Sequence, residues 1–205
     1  MYDANVASQG TEADVADVAA VLDLLGPAHA VVGHSLGGRN AILAGAAMPE
    51  RIRSVVSVDY AATIEPSVFA TLRTARAGGE ALPDLDSVRR SILARSALLP
   101  DDAVDRRADH LYVKGERGFR AIASPAAIAE TLETMDVDLV PALRDSTIPM
   151  LLVRGADSPF LSEGAFARSL WQRGDLVGAV VADADHFVPE VKPQEVARLV
   201  RKFIA

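Results

Sequence analysis

The chemistry in this chain starts at Ser35, which stands in the run Gly33-His34-Ser35-Leu36-Gly37-Gly38 and so fits the pattern G-x-S-x-G. That pattern marks a nucleophile elbow, a strand-to-helix turn so sharp that the serine backbone is strained and its hydroxyl is pushed out at the strand's tip. Both flanking glycines are expected to be sterically required, because a Cβ on either would collide with the neighbouring strand or helix. A serine hydroxyl is a weak nucleophile near neutral pH. It needs a base within hydrogen-bond reach, and the base needs a partner that orients it.

The chain has four histidines from which that base can come. His34 lies inside the turn, directed away from the serine oxygen; it reads as a packing residue and is also carried as a candidate substrate contact. His29 sits at the entry of the strand, at the wrong end of a sheet, and His110 falls in a helical stretch where it is expected to be solvated. His186 differs. It follows the last apolar run, in Ala184-Asp185-His186-Phe187-Val188-Pro189, at the carboxyl edge where ligand sites of parallel sheets form.

The elements that must position these residues are legible in the spacing. Val15, Val18, Ala19, Leu22 and Leu25 recur at helical intervals, with Thr11 and Asp14 set for a capping box and Gly26-Pro27 as a stop. A strand is expected near 29–32. After the elbow, Ala41, Ala44, Gly45 and Met48 form a small-residue helix face that ends at Pro49, and Ile52 to Val58 is a continuous β-branched run ending in Asp59. The alternation then breaks. From 61 to 145 only helical patterns are expected: 66–76, 85–97, 101–113, 125–135 and 138–143, punctuated by Gly78-Gly79, Pro83 and Pro100. Strands resume at 150–153 and 179–182, with a helix at 164–172 between them. The chain closes on a helix with Val196, Leu199, Val200 and Phe203 on one face. These elements predict an α/β fold: a core of residues 1–60 and 146–205, interrupted by an all-helical cap at 61–145.

Composition narrows the partners. With 205 residues, half of them hydrophobic, the chain can bury a sizeable core. Its 28 acidic and 21 basic residues leave a net charge of −7, which argues against nucleic acid and anionic membrane surfaces. Zero cysteines exclude disulfides, thiol catalysis and cysteine-ligated metals. The polar, acidic opening Met1-Tyr2-Asp3-Ala4-Asn5 is unlike a secretory signal, and no apolar run approaches the roughly 20 residues of a membrane span. A cytoplasmic protein acting on a small molecule is expected.

Taken together, these residues resemble the α/β-hydrolase family over the whole chain. Gly33 to Gly38 looks like the family's nucleophile elbow, His186-Phe187-Val188 before Pro193 and a final amphipathic helix looks like its histidine loop, and 61–145 looks like its helical lid. The order, serine first and histidine last, is the family's. The resemblance implies a serine hydrolase without cofactor or metal. Two aspartates compete for the acid. In most members it lies three positions past a glycine after the strand that follows the lid, but counting from Gly155 lands on Ser158, with Asp157 one position early. Asp59 ends the strand expected beside that of Ser35. Some members, among them small bacterial esterases, resemble this arrangement, with Gly-x-x-Ser-Pro where the usual acid would be. Here that segment reads Gly155-Ala156-Asp157-Ser158-Pro159. Asp59 is preferred and Asp157 is the alternative.

By this resemblance Ser35 attacks a carbonyl carbon, His186 moves the proton, the acid holds the imidazole, and the backbone N–H of Leu36 meets the oxyanion. Tyr60, Tyr112, Phe119 and Phe187 are further candidate substrate contacts. Two departures stand out. Family members have more strands before the elbow, one of whose loops supplies a second oxyanion donor, a loss worth about 3 to 4 kcal/mol of transition-state stabilisation. Here the expected sheet has about four strands with the elbow strand at its edge. A truncated hydrolase, completion by another chain or a second copy, and drift to another use are all compatible with that. The other departure is Asp185, where the family commonly has glycine. The leading function is cleavage of a small carboxylic ester or related acyl compound. The alternatives are a carbon–carbon bond hydrolase of the same fold acting on a diketone-type substrate, and a noncatalytic binding or assembly protein.

Overall fold

The computed structural model describes residues 11–62, 64–65, 67–68, 70, 81–135 and 137–205. Its main sheet has four strands, β1 (Val31–His34), β2 (Val55–Val58), β5 (Met150–Gly155) and β6 (Val177–Val181), in that spatial order and all parallel. The two central strands are buried along their whole length. This is why both read as unbroken apolar runs: a strand covered on both faces has no solvent side to alternate with. Side chains leave it to opposite faces in turn. Val55, Met150 and Leu152 join one core cluster, while Val56, Val58, Leu151 and Val153 join the other.

The first cluster is closed by α1 (Thr11–Leu25), α2 (Leu36–Ala47) and α7 (Glu163–Leu170), the second by α8 (Pro193–Ile204). Gly26, at φ 83°, ends α1 in the left-handed region that the Gly-Pro stop predicts. At the other end of α1, Asp14 receives the guanidinium of the fully buried Arg39, tying α1 to α2; the Thr11 side chain, the other half of the expected capping box, lies outside the described residues. On α2, a Cβ at Gly45 would meet Val55, so the small-residue face does let this helix lie close on β2.

Between β2 and β5 lie α3 (Leu85–Leu93), α4 (Asp101–Leu111), α5 (Pro125–Thr134) and α6 (Val140–Asp145), and also a β-hairpin, β3 (Tyr112–Gly115) with β4 (Gly118–Ala121). The expectation of helices alone is therefore overturned: the pattern assigned to a helix over 101–113 ends at Leu111 and turns into a strand. Gly115 and Gly118 bracket a two-residue turn, and the backbone of Phe119 pairs with that of Leu82. Each strand is only four residues long, too short for alternation to stand out. The bracketing glycines were the available signal. Val88, Ile92, Leu99, Val104 and Ala108 form a third cluster against this hairpin. Most of the helix expected over 66–76, and the Gly78-Gly79 break, lie outside the described residues.

Candidate active site

Ser35 sits between the end of β1 and the start of α2 at φ 54°, ψ −122°. This conformation is expensive for a residue with a Cβ, on the order of 1–3 kcal/mol, and persists only where its surroundings enforce it. The enforcement is visible. The Ser35 N–H donates to the Val58 carbonyl at 2.9 Å, and the Ser35 carbonyl accepts from the Gly38 N–H at 2.8 Å. A Cβ on Gly33 would fall on the Gly37 carbonyl, so only glycine fits there. At Gly37 a Cβ would meet nothing within 4 Å. The expectation that both flanking glycines are sterically required is thus corrected: the second constrained position is Gly38, packed against Ser57 and Tyr60.

Asp59 follows β2 at φ 53°, in the left-handed region, which aspartate tolerates better than most residues. Its N–H donates to the Val153 carbonyl at 2.7 Å, just as Ser35 bonds to Val58, so both residues leave the sheet at the same carboxyl edge. The carboxylate is 1% exposed and fully occupied. Oδ1 accepts from the Gly155 N–H at 3.1 Å, and Oδ2 accepts from Ser158 Oγ at 2.5 Å and from His186 Nδ1 at 2.7 Å. Asp157 is exposed, and no hydrogen bond joins it to His186. Its N–H bonds the Ala184 carbonyl instead, which secures the loop that carries His186.

That loop is shaped from several sides. A Cβ on Gly155 would strike the carbonyls of Ala184 and Asp185, so the loop crosses directly over the end of β5. Asp185 Oδ1 accepts from the Phe187 N–H at 2.9 Å, which gives the unusual acid a turn-forming role. His34 Nε2 donates to the His186 carbonyl at 2.6 Å, with the two imidazole rings 4.7 Å apart, and the Phe160 ring stands edge-on to His186 at 4.4 Å. Burial, and then the charge on His186, hold His34 below the ordinary histidine range. His34 therefore enters as a neutral prop, and its place as a substrate contact is corrected: it backs His186 and does not line the cavity.

The cavity, about 760 Å³, brings together Ser35, Leu36, Asp59 and His186 with Tyr60, Tyr112 and Phe187. Leu36 opens α2, so its N–H has no acceptor within the helix and is available to an anion. Tyr60 is buried, with its hydroxyl on the Met135 carbonyl at 3.1 Å. Phe119 is corrected: it packs on the third cluster beneath the hairpin and does not line the cavity. His110, exposed as expected, also contributes to the wall, as do Phe160, Arg95 and Arg107, which the sequence did not single out. Residues so far apart in the chain carry no common spacing. Among the described residues no group of three or more histidines, aspartates and glutamates could hold a metal ion, and no helix is long and apolar enough to cross a membrane.

The chain is similar to known proteins in sequence and in fold. The chain is 39% identical over 190 residues to a 2-(acetamidomethylene)succinate hydrolase of Mesorhizobium japonicum, covering 92% of this chain and 68% of that protein. The crystal structure of an E-2-(acetamidomethylene)succinate hydrolase superposes with a TM-score of 0.92 at 36% identity, covering 98% of this chain and 76% of that one. Lipase LipV of Mycobacterium tuberculosis is 28% identical over 195 residues, covering 93% and 74%. The sequence model of the alpha/beta hydrolase family matches residues 5–199. By its fold, its matched span and these similarities, the chain belongs to the alpha/beta hydrolase family and is a hydrolase.

Proposed function

We propose that this hydrolase cleaves a non-ester acyl bond in a small conjugated compound, through Ser35, His186 and Asp59. The observation that carries the reading is the bond from His186 Nδ1 to the buried Asp59 carboxylate, in the cavity that Ser35 also lines. Asp59 would keep the imidazole in the tautomer whose Nε2 is free to accept a proton, and would stabilise the imidazolium. Ser35 would attack the acyl carbon, the Leu36 N–H would meet the oxyanion, and His186 would return the proton to the departing group. Water would then attack the acyl-enzyme, giving a proton to His186 as its oxygen bonds the acyl carbon, and the Ser35 ester bond would break with that proton returned to Ser35; residues 61–145 would act as the cap over the core of 1–60 and 146–205.

The choice of bond draws on the relative of 39% identity, whose named substrate is not an ester. In 2-(acetamidomethylene)succinate an acetyl group is joined through nitrogen to a carbon–carbon double bond. This supports the carbon–carbon hydrolase alternative better than the simple ester. A diketone-type substrate and an acyl enamine share the decisive property: the group expelled from the tetrahedral intermediate spreads its charge into a conjugated system and must be protonated as it leaves.

The test is to incubate the protein with 2-(acetamidomethylene)succinate, with a diketone-type compound and with 4-nitrophenyl acetate, following acyl release by NMR or absorbance. Conjugated substrates are expected to turn over with the higher kcat/KM, and Ser35→Ala to abolish turnover. Release that persists in Ser35→Ala, or confined to the ester, would overturn the proposal.

A further inference from the structure

The cavity's charge is lopsided in a way that the hydrolytic residues do not require. Among the described residues Asp59 is the only acid in its wall, and its oxygens are already engaged by His186, Ser158 and the Gly155 N–H. Against it stand the guanidinium groups of Arg95 and Arg107, both from the segment between β2 and β5. This occurs in a chain whose net charge is −7.

The two arginines are not equivalent. Arg107 is neutralised by a two-pronged pair with Glu190, at 2.7 and 2.6 Å, and its guanidinium lies over the Phe187 ring at 4.3 Å. It is a strut between α4 and the histidine loop. Arg95, two residues beyond the end of α3, has no side-chain hydrogen bond or ion pair among the described residues, though it lines the cavity that holds Ser35. Most of the remaining wall is apolar, including Ile64, Ile92, Leu132 and Met135. An uncommitted guanidinium on an otherwise apolar wall is matched by a ligand with an apolar or conjugated body and a terminal carboxylate, because the planar fork pairs with a carboxylate through two parallel hydrogen bonds.

We infer that Arg95 is the residue that selects carboxylate-bearing substrates, binding the carboxylate away from the acyl group that Ser35 attacks. The inference rests on the acyl-hydrolase reading above and deepens it by assigning a specificity residue. A charge-assisted pair of this kind is worth roughly a 10- to 100-fold preference.

Binding separates this from catalysis. Calorimetric titration with succinate and with its uncharged diamide, succinamide, is expected to show at least tenfold tighter binding of succinate by the wild type. The preference should vanish in Arg95→Ala and Arg95→Gln, persist in part in Arg95→Lys, and survive in Arg106→Ala, whose side chain pairs with Asp102 on the exposed side of α4. Turnover gives a second readout: the ratio of kcat/KM for mono-4-nitrophenyl succinate over 4-nitrophenyl acetate should fall at least tenfold in Arg95→Ala. A wild type that hydrolyses 4-nitrophenyl acetate yet does not distinguish succinate from succinamide would overturn the assignment of Arg95 and leave the hydrolase reading standing. Arg95-dependent succinate binding without Ser35-dependent turnover would do the reverse. Equal binding of the two ligands by folded Arg95→Ala and wild type would also overturn the assignment.

Discussion

Ser158 Oγ donates to Asp59 Oδ2 at 2.5 Å, the same oxygen that accepts from His186 Nδ1. The position where most relatives by resemblance carry the acid therefore holds the hydroxyl that steadies an acid coming from a different strand. Ser158 also accepts from the N–H groups of Phe160 and Leu161 at 3.2 Å, so its orientation is set by the backbone.

The three candidate positions should separate cleanly by mutation. Asp59→Asn is expected to lower kcat by about 10³- to 10⁴-fold, since an amide favours the wrong imidazole tautomer. Ser158→Ala, which removes one charge-assisted bond of about 1.5 to 3 kcal/mol, should cost roughly tenfold or more. Asp157→Asn should leave kcat within about twofold, because an exposed carboxylate with no bond to His186 has no route to the reaction. Steady-state kinetics on the three purified variants would decide this, and a collapse in Asp157→Asn with Asp59→Asn intact would reverse the assignment.

The pH dependence of stability should carry a signature of His34. Its pKa is lowered in the folded protein, chiefly by burial, so between its ordinary value of about 6.5 and the lowered one the unfolded chain binds the extra proton. Stability from this group is present above pH 6.5 and is lost as pH falls through that window. Urea midpoints at pH 7.5 and pH 5 should show a larger drop for wild type than for His34→Gln. An equal drop in both would mean that His34 takes up its proton alike in the folded and the unfolded chain.

The glycines two residues on either side of Ser35 should respond in opposite ways. Gly33→Ala places a methyl on the Gly37 carbonyl, and backbone cannot yield as a side chain can; a loss of about 3 kcal/mol or more is expected. Gly37→Ala enters open space within α2 and is expected to be neutral, or stabilising by about 0.5 to 1 kcal/mol, because alanine restricts the unfolded chain more than glycine does. Thermal melts of the pair would test this.

Asp185 should matter through geometry. Removing the bond from its carboxylate to the Phe187 N–H in Asp185→Ala is expected to lower kcat severalfold, while Asp185→Asn, which keeps the acceptor, should restore most of it. A variant pair in which neither substitution changes kcat would show that the loop keeps its shape without the Asp185 bond.

Much of this molecule was legible in one dimension, because the signals were local. The Gly-x-Ser-x-Gly turn, the buried β-branched runs and the Gly26 stop are each dictated by backbone sterics or burial within a few residues, so Ser35, the parallel sheet and His186 at its carboxyl edge could be read directly. What the tertiary structure decided was everything that depends on two strands meeting. Whether Asp59 or Asp157 reaches His186 turns on a left-handed aspartate at the end of β2 and a serine at the end of β5, which are 99 residues apart. The second constrained glycine proved to be Gly38 and not Gly37, since only packing against Ser57 and Tyr60 reveals which side of α2 faces the sheet. The meeting of Arg95, Arg107 and His110 in one wall likewise has no sequence pattern. It exists because one chain folds back over its own active-site edge, and long-range juxtaposition of that kind leaves no periodicity behind.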